Sequence, residues 1–208
     1  MRLRQTNVYV DGFNLYYGCL KDTPYRWLDL WALTKRLFPK DKIGRIRYCT
    51  AIVDARDDPK QPQRQQTYIR ALGTIPCLSV HYGSFRTDAR RLMLVKPPKI
   101  GSKFANVWKT EEKGSDVNLA SYLLMDTFKE ECDTAVVISN DADLKKPIEI
   151  AMQEGVKVGV VNPHPPKKRS RDLKPTFFKQ IRESAIRDCQ FPVTLQDARG
   201  TIHKPADW

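Results

Sequence analysis

The chain has 208 residues, 41% of them hydrophobic and 29% charged, enough for one globular core, and it carries a formal net charge of +12. No apolar run approaches the ~20 residues that cross a bilayer, and the apolar part of MRLRQTNVYV is too short for a signal peptide. Five scattered cysteines with no C-x-x-C pair exclude a zinc knuckle or ribbon and fit a reducing, cytoplasmic setting without a membrane partner, while the cationic surplus points to an anionic partner, nucleic acid first.

In chain order, Asn7–Val10 is short, apolar and β-branched and ends at Asp11-Gly12, which predicts a buried first strand. Phe13–Leu20 reads as a short helix, and Leu28–Phe38 has helical spacing stopped by Pro39. Arg45–Val53 predicts a second strand, Pro62–Leu72 a helix closed near Gly73, and Cys77–Tyr82 a third strand. Residues 85–110 alternate around Pro97-Pro98 and Gly101, as expected of a β-hairpin or projecting arm. The arm is basic: Arg86, Arg90, Arg91, Lys96, Lys99, Lys103, Lys109 and Lys113 fall in residues 86–113 against three acids. Asp116–Glu130 is an amphipathic helix with Val117, Leu119, Ala120, Leu123, Leu124 and Phe128 as its apolar face. Thr134–Ser139 is an all-apolar strand, Leu144–Glu154 a helix with Gly155 just past its end, and Val156–Val161 a further strand.

From Pro163 the composition turns proline-rich and basic, with Lys167, Lys168, Arg169 and Arg171 in one run. A short helix is predicted near Phe177–Arg187 and a hairpin over Val193–Lys204, turning at Arg199-Gly200. The division is residues 1–162 as the main domain and 163–208 as a basic linker and extension packed on it. Alternating buried strands and helices predict an α/β layered sandwich with a mainly parallel sheet, which gathers ligands beyond the carboxyl ends of its strands.

Asp11 and Asp141 stand just past such ends, Asp143 follows two residues on, and Asp116 opens a helix. Carboxylates gathered there suit a hard cation such as Mg²⁺ or Mn²⁺, which activates water for phosphodiester hydrolysis. Each also has a bland role: Asp11 in a turn, Asp116 as a helix cap unless Ser115 takes that part, and Asp143 as the more natural structural cap of its pair. Asn14 is poised to tie the first loop to the cluster. Lys113 is either a phosphate contact or a solvated loop lysine, and Glu111 and Glu112 read as solvated strand-end charges. His81, His164 and His203 form no metal spacing, and Tyr16, Tyr17, Trp27 and Trp31 read as packing residues, with base stacking by one of them as the alternative. Arg90, Arg91 and Lys103 of the arm, with Lys167, Lys168 and Arg169, are candidates for nucleic-acid backbone contacts.

Together VYVDGFNLY, KGSDVNLASYLL and VVISNDADLKKPIEIAMQEGVKVGVV resemble the NYN domain, a branch of the PIN-like nuclease superfamily, over about Asn7 to Asn162. The resemblance implies a Rossmann-like PIN fold, a three-layer α/β sandwich, and metal-dependent ribonuclease activity. It places the acidic metal positions on Asp11, Asp116, Asp141 and Asp143, and matches Asn14 to the family's asparagine after the first aspartate. Ser139-Asn140 stands where many members have Ser-Gly, and Asn118 where some carry another acid. The expected function is an Mg²⁺- or Mn²⁺-dependent, endonucleolytic ribonuclease. RNA is the expected partner, with single-stranded DNA, a second copy or a protein partner also open. An RNA-binding or assembly module on the same fold, catalytically weak or inactive, is the alternative. A haloacid-dehalogenase-like site would need an acid where Phe13 stands, and a topoisomerase-primase-like site a Glu where Asp11 stands.

Overall fold

The first strand decides the architecture: from Thr6 to Asp11 every residue of β1 (Gln5–Asp11) is buried, so both of its faces must be covered and both of its edges paired. In the computed structural model, which describes residues 5–55 and 58–208, β1 lies at the centre of a six-stranded sheet. Its neighbours on one side are β2 (Lys42–Thr50) and β3 (Leu78–Tyr82). On the other side stand β6 (Thr134–Ile138), β7 (Lys157–Asn162) and β8 (Phe177–Gln180). Every neighbouring pair is parallel. The order β3-β2-β1-β6-β7-β8 reverses direction between β1 and β6, which opens a crevice at their carboxyl ends.

Helices cover both faces. On one, Val8, Val10, Ile46 and Tyr48 pack with Trp27, Leu30, Leu33 and Leu72, bringing in α2 (Leu30–Leu37) and α3 (Gln61–Leu72). The Asp29 carboxylate starts α2 by accepting from the backbone N–H groups of Trp31 and Ala32 at 2.8 and 3.1 Å. On the other face, Tyr9, Val137, Val158 and Val160 pack with Leu119, Leu123 and Ile148, from α4 (Ser115–Phe128) and α5 (Lys145–Gln153). The result is the three-layer α/β arrangement that the alternation predicts.

The arm is a ten-residue-per-strand antiparallel hairpin, β4 (Ser84–Met93) with β5 (Phe104–Lys113). It is rooted at the crevice by Phe85, whose ring meets that of Phe13 edge-on at 5.6 Å. The tail hairpin also forms, as β9 (Thr194–Asp197) and β10 (Gly200–His203), with Gly200 taking the positive φ of the turn.

Some expectations fail for physical reasons. Phe177–Arg187 is not one helix: its first residues form β8, and only Glu183–Asp188 (α6) is helical. The open edge of β7 overrides the helical spacing, because Phe177 packs over Gly159, where a Cβ would come within 2.1 Å of the ring, while Phe178 turns to the other face beneath Arg169 at 3.6 Å. Trp27 is core, but Tyr17 and Trp31 are exposed. On α4, Val117 and Phe128 face solvent and the buried stripe runs through Leu119, Leu123 and Asp126. Among the described residues, no helix is long and apolar enough to cross a membrane.

Candidate active site

Asp11 ends β1 inside the crevice and is 5% exposed. Its Oδ1 accepts the Asn14 backbone N–H at 2.9 Å, making it the cap of the short helix α1 (Gly12–Leu15). Its Oδ2 accepts the Ser139 hydroxyl at 3.0 Å. Gly12 is required next to it, since a Cβ there would lie 2.7 Å from the Tyr48 ring and 2.9 Å from the Cys49 carbonyl oxygen. Burial, followed by the negative charges of Asp116 and Asp141, pushes the Asp11 carboxyl up to about 6 against the opposing pull of its two hydrogen bonds.

Asp141 reaches the same crevice from the loop after β6. Ser139 Oγ, which donates to Asp11, also accepts the Asp141 backbone N–H at 3.1 Å, so one hydroxyl links the two strand ends. Asn14 adds a second link, its Oδ1 accepting the Asn140 N–H at 2.9 Å. The capping roles are the reverse of expectation: Asp141 Oδ1 accepts the Asp143 N–H at 2.9 Å and caps the 3-10 turn Ala142–Leu144, while the Asp143 side chain is exposed. Asp141 wins because a cap must precede the turn whose N–H it accepts.

Asp116 enters from the first turn of α4, half-buried. Gly114 (φ +98°) makes the bend between arm and helix in a conformation that favours glycine. The helix start is held by Glu112, whose carboxylate accepts the Ser115 N–H at 3.1 Å and the Ser115 hydroxyl at 2.7 Å. Glu112 is therefore structural rather than a solvated charge, and it leaves the Asp116 carboxylate without a capping duty. Burial, then Asp141, Glu112 and Asp143, raises the Asp116 pKa. Asn118 donates to the Tyr82 carbonyl oxygen at 3.1 Å, a bond that an acid at this position would lack.

This is the architecture of a known family. The NYN domain model matches residues 5–182. The chain belongs to the NYN domain family. That family lies within the PIN-like nuclease superfamily, and its match here runs past Asn162 to include β8. This NYN chain is 32% identical, over 235 aligned positions covering 98% of it and 75% of the relative, to the 6-hydroxy-3-succinoylpyridine 3-monooxygenase HspA of Pseudomonas putida (strain DSM 28022 / S16). Its fold is similar to the crystal structure of a protein of unknown function from Vibrio parahaemolyticus RIMD 2210633, with a TM-score of 0.54 and 20% identity over 88% of this chain and 98% of that one.

The basic candidates of this NYN domain fall into two groups. Lys167 and Lys168 lie in a 3-10 turn, Pro166–Lys168, that Asn140 holds beside Asp141: its Nδ2 donates to the Lys168 carbonyl oxygen and its Oδ1 accepts the Ser170 N–H, both at 2.8 Å. Lys167, Arg169, Arg171 and Lys174 line one hollow of about 560 Å³ with no carboxylate among its lining residues. The arm residues are engaged locally instead. Arg90 pairs with Asp88 at 3.3 Å, Arg91 lies 5.0 Å over the Phe104 ring, and Lys113 pairs with Glu111 at 3.1 Å rather than with the acidic cluster. Lys103 is exposed in the arm's loop. Trp108, 76% exposed on β5, escapes the sequence reading, where only its position among alternating polar residues marks it as surface.

For a cation the donor chemistry fits in one particular way. Among the described residues, no three His, Cys, Asp or Glu side chains converge as a ready-made metal-binding group. Yet Asp116 and Asp141 lie close enough to Asp11 to raise its pKa, and Asp141 close enough to Asp116 to raise that one as well. Oxygen donors that repel one another without touching suit an ion that keeps much of its water, as Mg²⁺ does.

Proposed function

We propose that this NYN domain is an Mg²⁺- or Mn²⁺-dependent endoribonuclease. The reading is supported by the proximity of Asp116 and Asp141 to Asp11, near enough to raise its pKa although the three come from separate elements, with Asp11 and Asp141 following the strands that flank the sheet's switch point. Asp11, Asp116 and Asp141 would hold the ion, with Asp143 assisting. The bound ion supplies a water of lowered pKa and a counter-charge for the leaving oxygen. Ser139 and Asn14 fix the orientation of Asp11, while Lys167, Lys168 and Arg169 hold the strand's phosphates next to Asp141. A side-chain nucleophile is disfavoured: burial pushes the thiols of Cys19 and Cys49 up to about 12 and that of Cys132 up to about 11.

The test is cleavage of labelled linear and circular RNA, and of single-stranded DNA, in Mn²⁺, Mg²⁺ or EDTA, with wild type beside Asp141→Asn and Asp11→Asn. Metal-dependent cutting of circular RNA by wild type alone is expected. Undiminished cutting by Asp11→Asn rejects the site, and salt-sensitive RNA binding without any cutting selects the inactive binding module.

A second reading is favoured by the named relative, which is similar over 98% of this chain. On it, this chain oxygenates a pyridine-type ring with dioxygen and a two-electron donor: one oxygen atom enters between the ring and its acyl side chain, which then leaves by hydrolysis as a carboxylic acid, and the other oxygen leaves as water. Consumption of 6-hydroxy-3-succinoylpyridine with release of a dihydroxypyridine, requiring reduced nicotinamide or flavin and lost without dioxygen, decides for it on general chemical grounds.

A further inference from the structure

A second concavity, of about 360 Å³, is lined by Gly12 and Phe13, next in the chain to Asp11, and by none of the proposed metal-site aspartates. Its size is that of a small-molecule site. Its walls are aromatic: Tyr68 and Trp208 meet edge-on at 5.7 Å, Tyr48 and Tyr68 at 6.3 Å, and Tyr16 and Tyr17 at 5.2 Å. Three cations line it, Lys21, Arg26 and Arg64, against one lining carboxylate, Asp58. Arg64 is braced by Asp58 and by Asp207 at 3.5 Å. Lys21 Nζ stands 5.3 Å over the Tyr17 ring, and Arg26 Nε donates to the Thr23 carbonyl oxygen at 3.0 Å, which leaves its terminal nitrogens available to a ligand. Among the described residues, one donor lacks an acceptor: the indole Nε1 of Trp208 is buried without a hydrogen bond. A buried N–H in that condition forfeits roughly 1–3 kcal/mol, so a turn of the indole that brings it to a ligand acceptor in the pocket is favoured.

We propose that this pocket binds a flat heteroaromatic ring carrying an acidic group. The ring stacks among Tyr16, Tyr68 and Trp208, a ring or exocyclic acceptor takes the Trp208 N–H, and the anion meets Arg26 and Lys21. Two sources share this chemistry, a nucleotide and a free N-heteroaromatic acid. The pocket stands on its own lining and rests on neither reading of the catalytic function.

The test is titration calorimetry of the full chain in EDTA with uridine 5′-monophosphate, adenosine 5′-monophosphate and pyridine-3-carboxylate, beside uridine (ring without anion) and inorganic phosphate (anion without ring). At least one ring-plus-anion probe binds, at least tenfold more tightly than uridine or phosphate. Arg26→Gln and Trp208→Phe each weaken it roughly tenfold, while Asp141→Asn leaves it unchanged. Binding of nucleotides alone identifies a nucleic-acid source, and binding of the pyridine acid alone a free metabolite. Failure of all three probes, phosphate binding as tight as the best probe, or affinity unmoved in both Arg26→Gln and Trp208→Phe overturns the proposal. Because metal is absent and the acidic site is spared, that failure leaves the cleavage assignment standing.

Discussion

At the scale of a residue, Asp11 sets function against stability. An aspartate in an unfolded chain titrates near 3.9, whereas burial and its acidic neighbours hold Asp11 at about 6 in the fold. Between those values the folded chain keeps a proton that the unfolded chain has lost, so stability falls as pH rises through the window. Above it, the ionised carboxylate costs about 2–3 kcal/mol when no cation is present. Asp11→Asn should therefore raise the unfolding free energy by about 1–3 kcal/mol at pH 7.5 in EDTA and by much less at pH 4, while abolishing metal-dependent cleavage. Urea unfolding of both proteins at the two pH values measures this, and a variant less stable than wild type at pH 7.5 contradicts it. Asp11 and Asp141 are legible in the sequence because a carboxylate after an apolar run marks a strand end. Asn140 and Glu112 are not. Asn140 works through Lys168 and Ser170, 28 and 30 positions away, and Glu112 through a bend whose direction only Gly114 sets.

At the scale of an element, the position of Asp116 depends on how α4 is pinned to the sheet. Asp126 on α4 is fully buried and accepts from Arg47 of β2 twice, at 2.9 and 2.6 Å, and from the Tyr9 hydroxyl at 2.8 Å. The Arg47 guanidinium also lies 4.4 Å over the Tyr122 ring of the same helix. Removing Arg47 leaves the buried carboxylate with Tyr9, Asn7 and only the half-exposed Arg45, 3.6 Å away, as a cation, so Arg47→Met should destabilise the fold by about 3 kcal/mol. Arg47→Met/Asp126→Leu should recover much of that loss, because the charge is removed together with its partner. Chemical denaturation of the two variants checks it, and equal losses in both would assign the effect to packing instead. Helical periodicity hides Asp126, since an acid on a helix ordinarily faces water. The arm hairpin, by contrast, is readable from its alternation. Its exposed Trp108 offers a ring for base stacking, so Trp108→Ala should weaken single-stranded RNA binding by about 1–3 kcal/mol without changing the metal dependence of cleavage. Fluorescence anisotropy with a short labelled RNA measures it, and an unchanged affinity removes the arm from the binding surface.

At the scale of the whole molecule, the chain carries a net charge of +12 around a few acids, and on the proposed ribonuclease reading the question is which cations would meet the phosphates. Composition alone spreads the answer over two basic segments. The fold separates them: the arm's Arg90 and Lys113 are paired with local carboxylates, whereas the turn at Lys167–Arg169 is fastened by Asn140 beside Asp141. Each phosphate contact on a single strand steepens the dependence of log affinity on log salt by about 0.7. Lys167→Gln/Lys168→Gln/Arg169→Gln should therefore flatten that slope by about 2, measured by anisotropy across a salt series in EDTA. Asn140→Ala keeps every cation but releases the turn, so it should lower affinity at each salt concentration with little change in slope. The two variants thus separate charge from placement. An unchanged slope in the triple variant would move the phosphate path away from this turn and onto the arm.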